Sequence, residues 1–488
     1  MSVLRLIAAA GVLALALPAG AKSPPSSSVS SPAPSKADVA ARRGEAAFRA
    51  LYRELVEINT AASTGSCTAA AEAMKVHLVA AGYPESDLQV IVPPGHPKEG
   101  NLIGLLPGAD TKLKPLMLLA HIDVVEAKRE DWVRDPFKLT EEGGYFYARG
   151  AEDDKSEAAI YADMMVRFRN EGYRPNRGVR LALTCGEEGA WPLDGVDWLI
   201  ANKREAIDAA FALNEGGGGS IDHTTGKYVF HGIEAAEKLY QDYTLEVTNA
   251  GGHSSRPVPD NAIYRLAGAL KKIEAYSFPV EASPVTTAFF AREAELELEP
   301  RKAADMRAYA KAPGPGEAAE HLLKDPSANS NLHTTCVATE LAGGHAPNAL
   351  PQRASANVNC RIFPGLTAAA TKTALERAVG DVQVKIAYAK DPTPASPPPP
   401  LTPEIMAPIE RLSAEMWPGV PVIPFLLAGA TDGSSLNSAG IPTYGVSGVF
   451  EDDELSHEHG LNESVPVKSL MDGRAFLYRL VKAYAGGK

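Results

Sequence analysis

The chain has 488 residues, 45% hydrophobic and 22% charged, an ordinary balance for a soluble globular protein. That length exceeds what one hydrophobic core usually supports, so roughly two or three domains are expected. A net charge of −12 and a pI near 5.5 exclude a basic footprint for nucleic acid or an anionic membrane surface.

Residues 1–21 read as a secretory signal peptide: a basic start ending at Arg5, an apolar stretch from Leu6 to Leu17, and the small-residue pattern Ala19-Gly20-Ala21. The stretch is too short to span a membrane. A secreted or periplasmic protein, free of the membrane after cleavage, is therefore expected. Residues 22–40 form a Ser/Pro/Ala tether that cannot bury a core. From 41 to 59 apolar residues recur at helical spacing. "NLIGLLPG" and "KPLMLLAHIDVV" read as strands, the second an almost continuous apolar run typical of a strand covered on both faces. A helix over Ser156 to Arg169, a strand in "RGVRLALTCGEEG", a short helix over Val196 to Lys203 and a strand in "AFALNEGGG" follow. Alternation of this kind implies an α/β layer with a mostly parallel central sheet. The pattern then changes. "KLYQDYTLEVTNAGG" alternates along a longer strand, followed by a helix over 261–275, the strand "RASANVNCRIFPG", a helix over 367–379 and the strand "VQVKIAYAK". That order suggests an inserted α+β, ferredoxin-like domain over 237–391, within which 283–331 is a further insertion. "DPTPASPPPPLTP" is a Pro-rich hinge, so residues 41–236 and 392–488 together make the catalytic domain. The four cysteines do not form a disulfide scaffold in so long a chain. One bridge is permitted, but buried free thiols are the expectation, above all for Cys185.

Polar groups stand at the ends of the apparent core strands or in the loops after them: His121 with Asp123, Asp153, the pair Glu187-Glu188, Glu215 and His459. In an open α/β sheet, sites are built at the carboxyl ends of strands. Each group alone has a bland reading: a satisfied structural histidine, a turn aspartate, solvated surface glutamates. Together, two imidazoles and three carboxylates are a ligand set for a pair of divalent cations, and one of the two adjacent glutamates remains free as a base. Asp123 would fix the tautomer of His121.

In order, "HID", "ARGAEDDKS", "GEE", "NEGG", "GGHSSRP" and "HGLNE" resemble the two-zinc family of aminoacylases, carboxypeptidases and dipeptidases that includes carboxypeptidase S, carnosinase and succinyl-diaminopimelate desuccinylase. The resemblance spans nearly the whole chain after the tether. It implies two Zn²⁺, with Co²⁺ or Mn²⁺ as substitutes. By it Asp153 bridges the metals, His121 and Glu215 complete one site, and Glu188 and His459 complete the other. Glu187 is then the general base and Asp123 the orienting carboxylate. His253 in "GGHSSRP" is the oxyanion donor, often supplied across a dimer of lid domains. Asn348 and Arg361 match residues that hold the substrate's carboxylate. Ser156 and Asn214 stand where the family commonly has Gly and Asp, and neither change removes a ligand. His457 is an alternative to His459, Asp432 is possible as no more than a helix cap, and His223, His231, His333 and His345 lack ligand context. The expectation is a zinc exopeptidase acting on small peptides beside a free α-carboxylate, with an N-acyl-amino-acid hydrolase as alternative. A non-catalytic zinc-binding protein of the same fold would have no use for the spare base Glu187.

Overall fold

The apolar run Leu116–His121 forms the middle of a ten-stranded sheet. The computed structural model describes residues 43–392, 394–452 and 454–487; the signal-peptide and tether readings of 1–40 lie outside them. Alternate residues of this strand feed two cores. Leu116, Leu118 and Ala120 pack with Leu55, Met74, Ile160 and Phe168 on one face, and Met117 and Leu119 with Val196, Leu199 and Leu436 on the other. Burial on both faces is why the run shows no polar alternation.

Four strands at the centre of this sheet run parallel: Val179–Thr184, Leu116–His121, Phe211–Asn214 and Thr443–Gly445. The flanks are mixed. Leu88–Ile91 and Asn101–Leu106 add antiparallel on one side; on the other Tyr228–Glu237 pairs antiparallel with Thr443–Gly445 and Gly218–Ile221 but parallel with Val422–Leu427. The mostly parallel sheet expected from the sequence is thus a mixed sheet with a parallel centre. Short turns, such as that joining Gly218–Ile221 to Tyr228–Glu237, can connect only antiparallel neighbours.

Leu239–Thr248, Thr335–Gly343, Arg353–Ile362 and Lys385–Tyr388 form a separate four-stranded antiparallel sheet. The helices Ala262–Glu274 and Ala368–Val379 bury Leu266, Ile273 and Leu375 against Tyr243, Leu245 and Val358 of this sheet. Residues 284–332 fold as four helices with their own core around Phe290, Met306, Tyr309 and Leu332. The first of these, Pro284–Leu296, lies against Val422–Leu427, and its Val285 joins the core of the large sheet.

The expectation of free thiols is overturned: Cys67 is bonded to Cys185, and Cys336 to Cys360. Cys336 and Cys360 face each other across adjacent strands, and Cys67 begins the helix Cys67–Ala80, which the sequence reading left unassigned. Among the described residues, no helix is long and apolar enough to cross a membrane.

Candidate metal centre and cavity

Strand ends deliver the polar groups to one place. His121 closes its strand, and its Nε2 stands 2.9 Å from Asp153 Oδ1 and 3.3 Å from Glu215 Oε2. On the opposite side of Asp153, His459 Nε2 is 2.9 Å from Oδ2 and also 2.9 Å from Glu188 Oε2. Each oxygen of the Asp153 carboxylate therefore faces one imidazole. The orienting role expected of Asp123 is divided: its backbone carbonyl lies 3.1 Å from His121 Nδ1, whereas its carboxylate is 3.6 Å away. That carboxylate instead accepts from the N–H groups of Gly186 at 2.7 Å and Glu188 at 3.3 Å, tying the glutamate loop to the His121 strand. The loop turns at Gly186 with φ +106, where a Cβ would sit 2.0 Å from the Leu193 carbonyl oxygen. Only glycine fits there.

The loops carrying Asp153 and His459 arrive from opposite ends of the sequence and are clamped together. Ser464–Pro466 pairs with Tyr145–Tyr147. Beside this pairing, Arg149 donates to Glu463 at 2.7 Å and to the carbonyls of His459 and Gly460 at 3.2 and 2.9 Å. Glu463 also accepts from the N–H groups of Gly150, Glu152 and Asp153. Both side chains are buried, at 3% and 0% exposure. The sequence reading assigned neither a role, although Glu463 closes the "HGLNE" motif.

The electrostatics of the cluster call for cations. Burial opposes protonation of His121, but Glu215, Asp123 and Asp153 outweigh it and raise its pKa. Hydrogen bonds to Asp153 and Glu188 push His459 up to about 11. Burial raises the Glu187 carboxyl, reinforced by Glu215, Asp153 and Glu188, with His121 opposing. Oε1 of Glu188 and Oε1 of Glu215 are buried without a hydrogen-bond partner among the described residues. Orphaned carboxylate oxygens this close to imidazoles suit divalent metal, which takes such donors without a proton. The ligating atoms of His121, Asp153 and Glu188, and of His121, Asp154 and Glu215, each lie within 4.8 Å of one another. Glu458 joins Asp153 and His459 in a third such group. Asp154 and Glu458 were missed, though each directly adjoins a predicted ligand.

The cluster opens into a cavity of about 1120 Å³ lined by Glu187, Arg361, Tyr240, Lys390 and Thr431, among others. Arg361 lies over the Tyr240 ring at 4.7 Å and donates to the Ala428 carbonyl; it has no carboxylate partner among the described residues. Its strand neighbours Asn357 and Asn359 both donate to Asp242 Oδ1. The structure does not bring His253 or Asn348 to this cavity. They meet on an exposed ribbon where Gly252–His253 pairs with Ala349–Leu350, and Ser254 N–H donates to the Asn348 carbonyl. Asp432 is not the helix cap; Thr431 caps the helix, while Asp432 is buried and accepts from Thr184. His457 does not line the cavity, and His231 and His333 are buried away from it.

Residues 117–483 match the model of "Peptidase family M20/M25/M40". The chain is 27% identical to the N-fatty-acyl-amino acid synthase/hydrolase of Mus musculus, over 77% of this chain and 75% of that one. To aminoacylase-1A of Rattus norvegicus it is 26% identical, over 78% and 82%. The solved structure of a metallo-carboxypeptidase from Sulfolobus solfataricus superposes with a TM-score of 0.62 at 17% identity, covering 90% of this chain and 99% of that one.

Proposed function

The chain belongs to peptidase family M20/M25/M40 and is a metallo-hydrolase of peptide or amide bonds, and from that premise we propose that it cleaves the amide beside a free α-carboxylate in small peptides or N-acyl amino acids. One observation carries this reading: a guanidinium without a carboxylate partner among the described residues, Arg361, shares a cavity with a carboxylate, Asp153, that faces an imidazole with each oxygen. In it, His121, Asp153 and Glu215 would hold one Zn²⁺ and Asp153, Glu188 and His459 the other. Such a pair would supply a water of lowered pKa and a polarised carbonyl. Glu187, not needed as a ligand, takes the proton of the attacking water and delivers it to the leaving nitrogen, since an amide anion leaves poorly. Arg361 clasps the substrate carboxylate through two charge-assisted hydrogen bonds.

The four-stranded sheet acts as a lid that pairs with a second copy. Its edge strand Thr335–Gly343 exposes Val337 and Leu341, at 60% and 72%. An exposed apolar edge is a template for another chain. A dimer of this kind would carry His253 and Asn348 to the partner's cavity, where His253 donates to the oxyanion. Two disulfides support export to an oxidising compartment. Hydrolysis of a panel of dipeptides and N-acyl amino acids, each against its α-carboxamide and each with and without chelator, tests the reading. Metal-dependent cleavage of the free acids is expected; equal cleavage of acid and amide would rule out the carboxylate clasp.

A further inference from the structure

The Cys67–Cys185 disulfide joins the start of the helix Cys67–Ala80 to the residue at which the strand Val179–Thr184 becomes the glutamate loop. Glu187 comes two residues later. No side-chain hydrogen bond holds its carboxylate among the described residues, so its place depends on the course of the loop. Both ends of that loop are pinned by hydrogen bonds. Cys185 N–H donates to Asn101 Oδ1 at 3.0 Å, Gly195 N–H to the Cys185 carbonyl at 2.7 Å, and Leu193 N–H to Glu99 at 3.1 Å. The disulfide adds a covalent tie at the end nearer the base. Both cysteines are buried, at 0% and 1% exposure, and their sulfurs lie within 4.8 Å of an Asp123 carboxylate oxygen. The bond therefore anchors Cys185 and also backs the carboxylate that accepts from Gly186 and Glu188. Its other end is firm. The helix buries Met74 and Leu78 in the main core, and Thr68 Oγ1 donates to the Pro97 carbonyl and accepts from Gly100 N–H. Cys336 and Cys360, by contrast, already face each other across paired strands, where the ladder holds them in any case. A misplacement of about 1 Å at a reacting group can cost about a hundredfold in rate.

We propose that Cys67 and Cys185 are a positioning pair for Glu187: their disulfide fixes the start of the glutamate loop and so holds the base carboxylate in place at the cluster. This rests on the hydrolase reading above, in which Glu187 is the base. The test uses the zinc-loaded full-length enzyme with the best substrate of the panel above, and native mass spectrometry counts the metal. Cys67→Ala/Cys185→Ala should lower kcat about ten- to a hundredfold, with KM within about twofold of wild type and metal content unchanged. In a Glu187→Gln background, where the base is already gone, removing the disulfide should cost less than about twofold more. Cys67→Val/Cys185→Ala, which returns apolar volume to the space of the sulfurs, serves if the double alanine variant does not fold. An unchanged kcat, an equal fall in both backgrounds, or loss of metal in step with the rate would overturn the positioning role alone. Full activity of Glu187→Gln with the disulfide intact would overturn the base assignment, and the positioning role with it.

Discussion

Arg149→Met tests whether the two halves of the metal cluster are held by the buried clamp. The substitution keeps the apolar stem and removes the guanidinium that Glu463 faces at 2.7 Å. Exposures of 3% and 0% leave no solvent to screen the residual charge. Breaking a buried pair by removing one partner costs about 3–5 kcal/mol, because the other charge stays buried and uncompensated. Lost with it are the bonds to the His459 and Gly460 carbonyls, at about 1 kcal/mol each. Glu463 keeps three backbone donors, which holds the expected total near 4 kcal/mol. Urea denaturation of metal-free protein reads the stability, and competition with a chromogenic chelator reads metal affinity. Affinity should fall at least tenfold, because the His459 and Asp153 loops lose their common anchor. Adding Glu463→Gln should recover part of the stability, since a neutral amide accepts the same N–H groups, but not the metal affinity. A single variant within 1 kcal/mol of wild type, with unchanged affinity, would refute the clamp.

Glu187→Gln should lower kcat a hundredfold or more at unchanged metal content, whereas Asp153→Ala should lose metal and activity together; mass spectrometry of the native protein counts the ions. His231 is buried among Trp417, Phe450 and Phe476, and burial pushes its pKa down to about 3 from 6.5. Between those values the unfolded chain binds a proton that the folded chain refuses, so stability falls as pH drops, by about 2 kcal/mol at pH 5. His231→Phe should flatten the change in urea midpoint between pH 7 and pH 5, and an unaltered slope would assign the acid sensitivity elsewhere. Leu341→Lys should shift sedimentation toward monomer and lower kcat together with it; monomers of full activity would place the oxyanion donor within one chain.

Much of this arrangement is written in local patterns. The strand ending at His121 is legible because burial on both faces removes the polar alternation, and Asp123, Glu187, Glu188 and Glu215 are legible because each follows a strand of the large sheet, whereas Asp153, after the short Tyr145–Tyr147 of a separate sheet, is legible only from its motif. Non-local features were not. Tyr228–Glu237 carries His231, Glu234 and Glu237 in its buried part, so its charges disguise a ten-residue strand of the large sheet. Cys185 sits in an apolar context that says nothing of a partner 118 residues away. Arg149 and Glu463 lie 314 apart, and no spacing rule connects an arginine to a carboxylate at that distance. The parallel centre of the sheet follows from βαβ alternation, but the mixed flanks depend on which short turns close hairpins. For His253 and Asn348 the motif reading joins them to a site that the single chain does not deliver them to.

The five donors of the cluster are also spread unevenly in time. On a ribosome, His121, Asp153, Glu188 and Glu215 emerge early, and His459 follows only after the whole inserted sheet and its helices. At roughly 5–20 residues per second, the intervening stretch of roughly 240 residues takes on the order of 10–50 s to synthesise. Throughout that interval the nascent chain holds His121 and the cluster's carboxylates without His459 and without Glu463 to gather their loops. Under the proposed ligand set, the complete cluster exists only after nearly the entire polypeptide has been made, and a premature stop shortly before His459 leaves most of the chain without that imidazole.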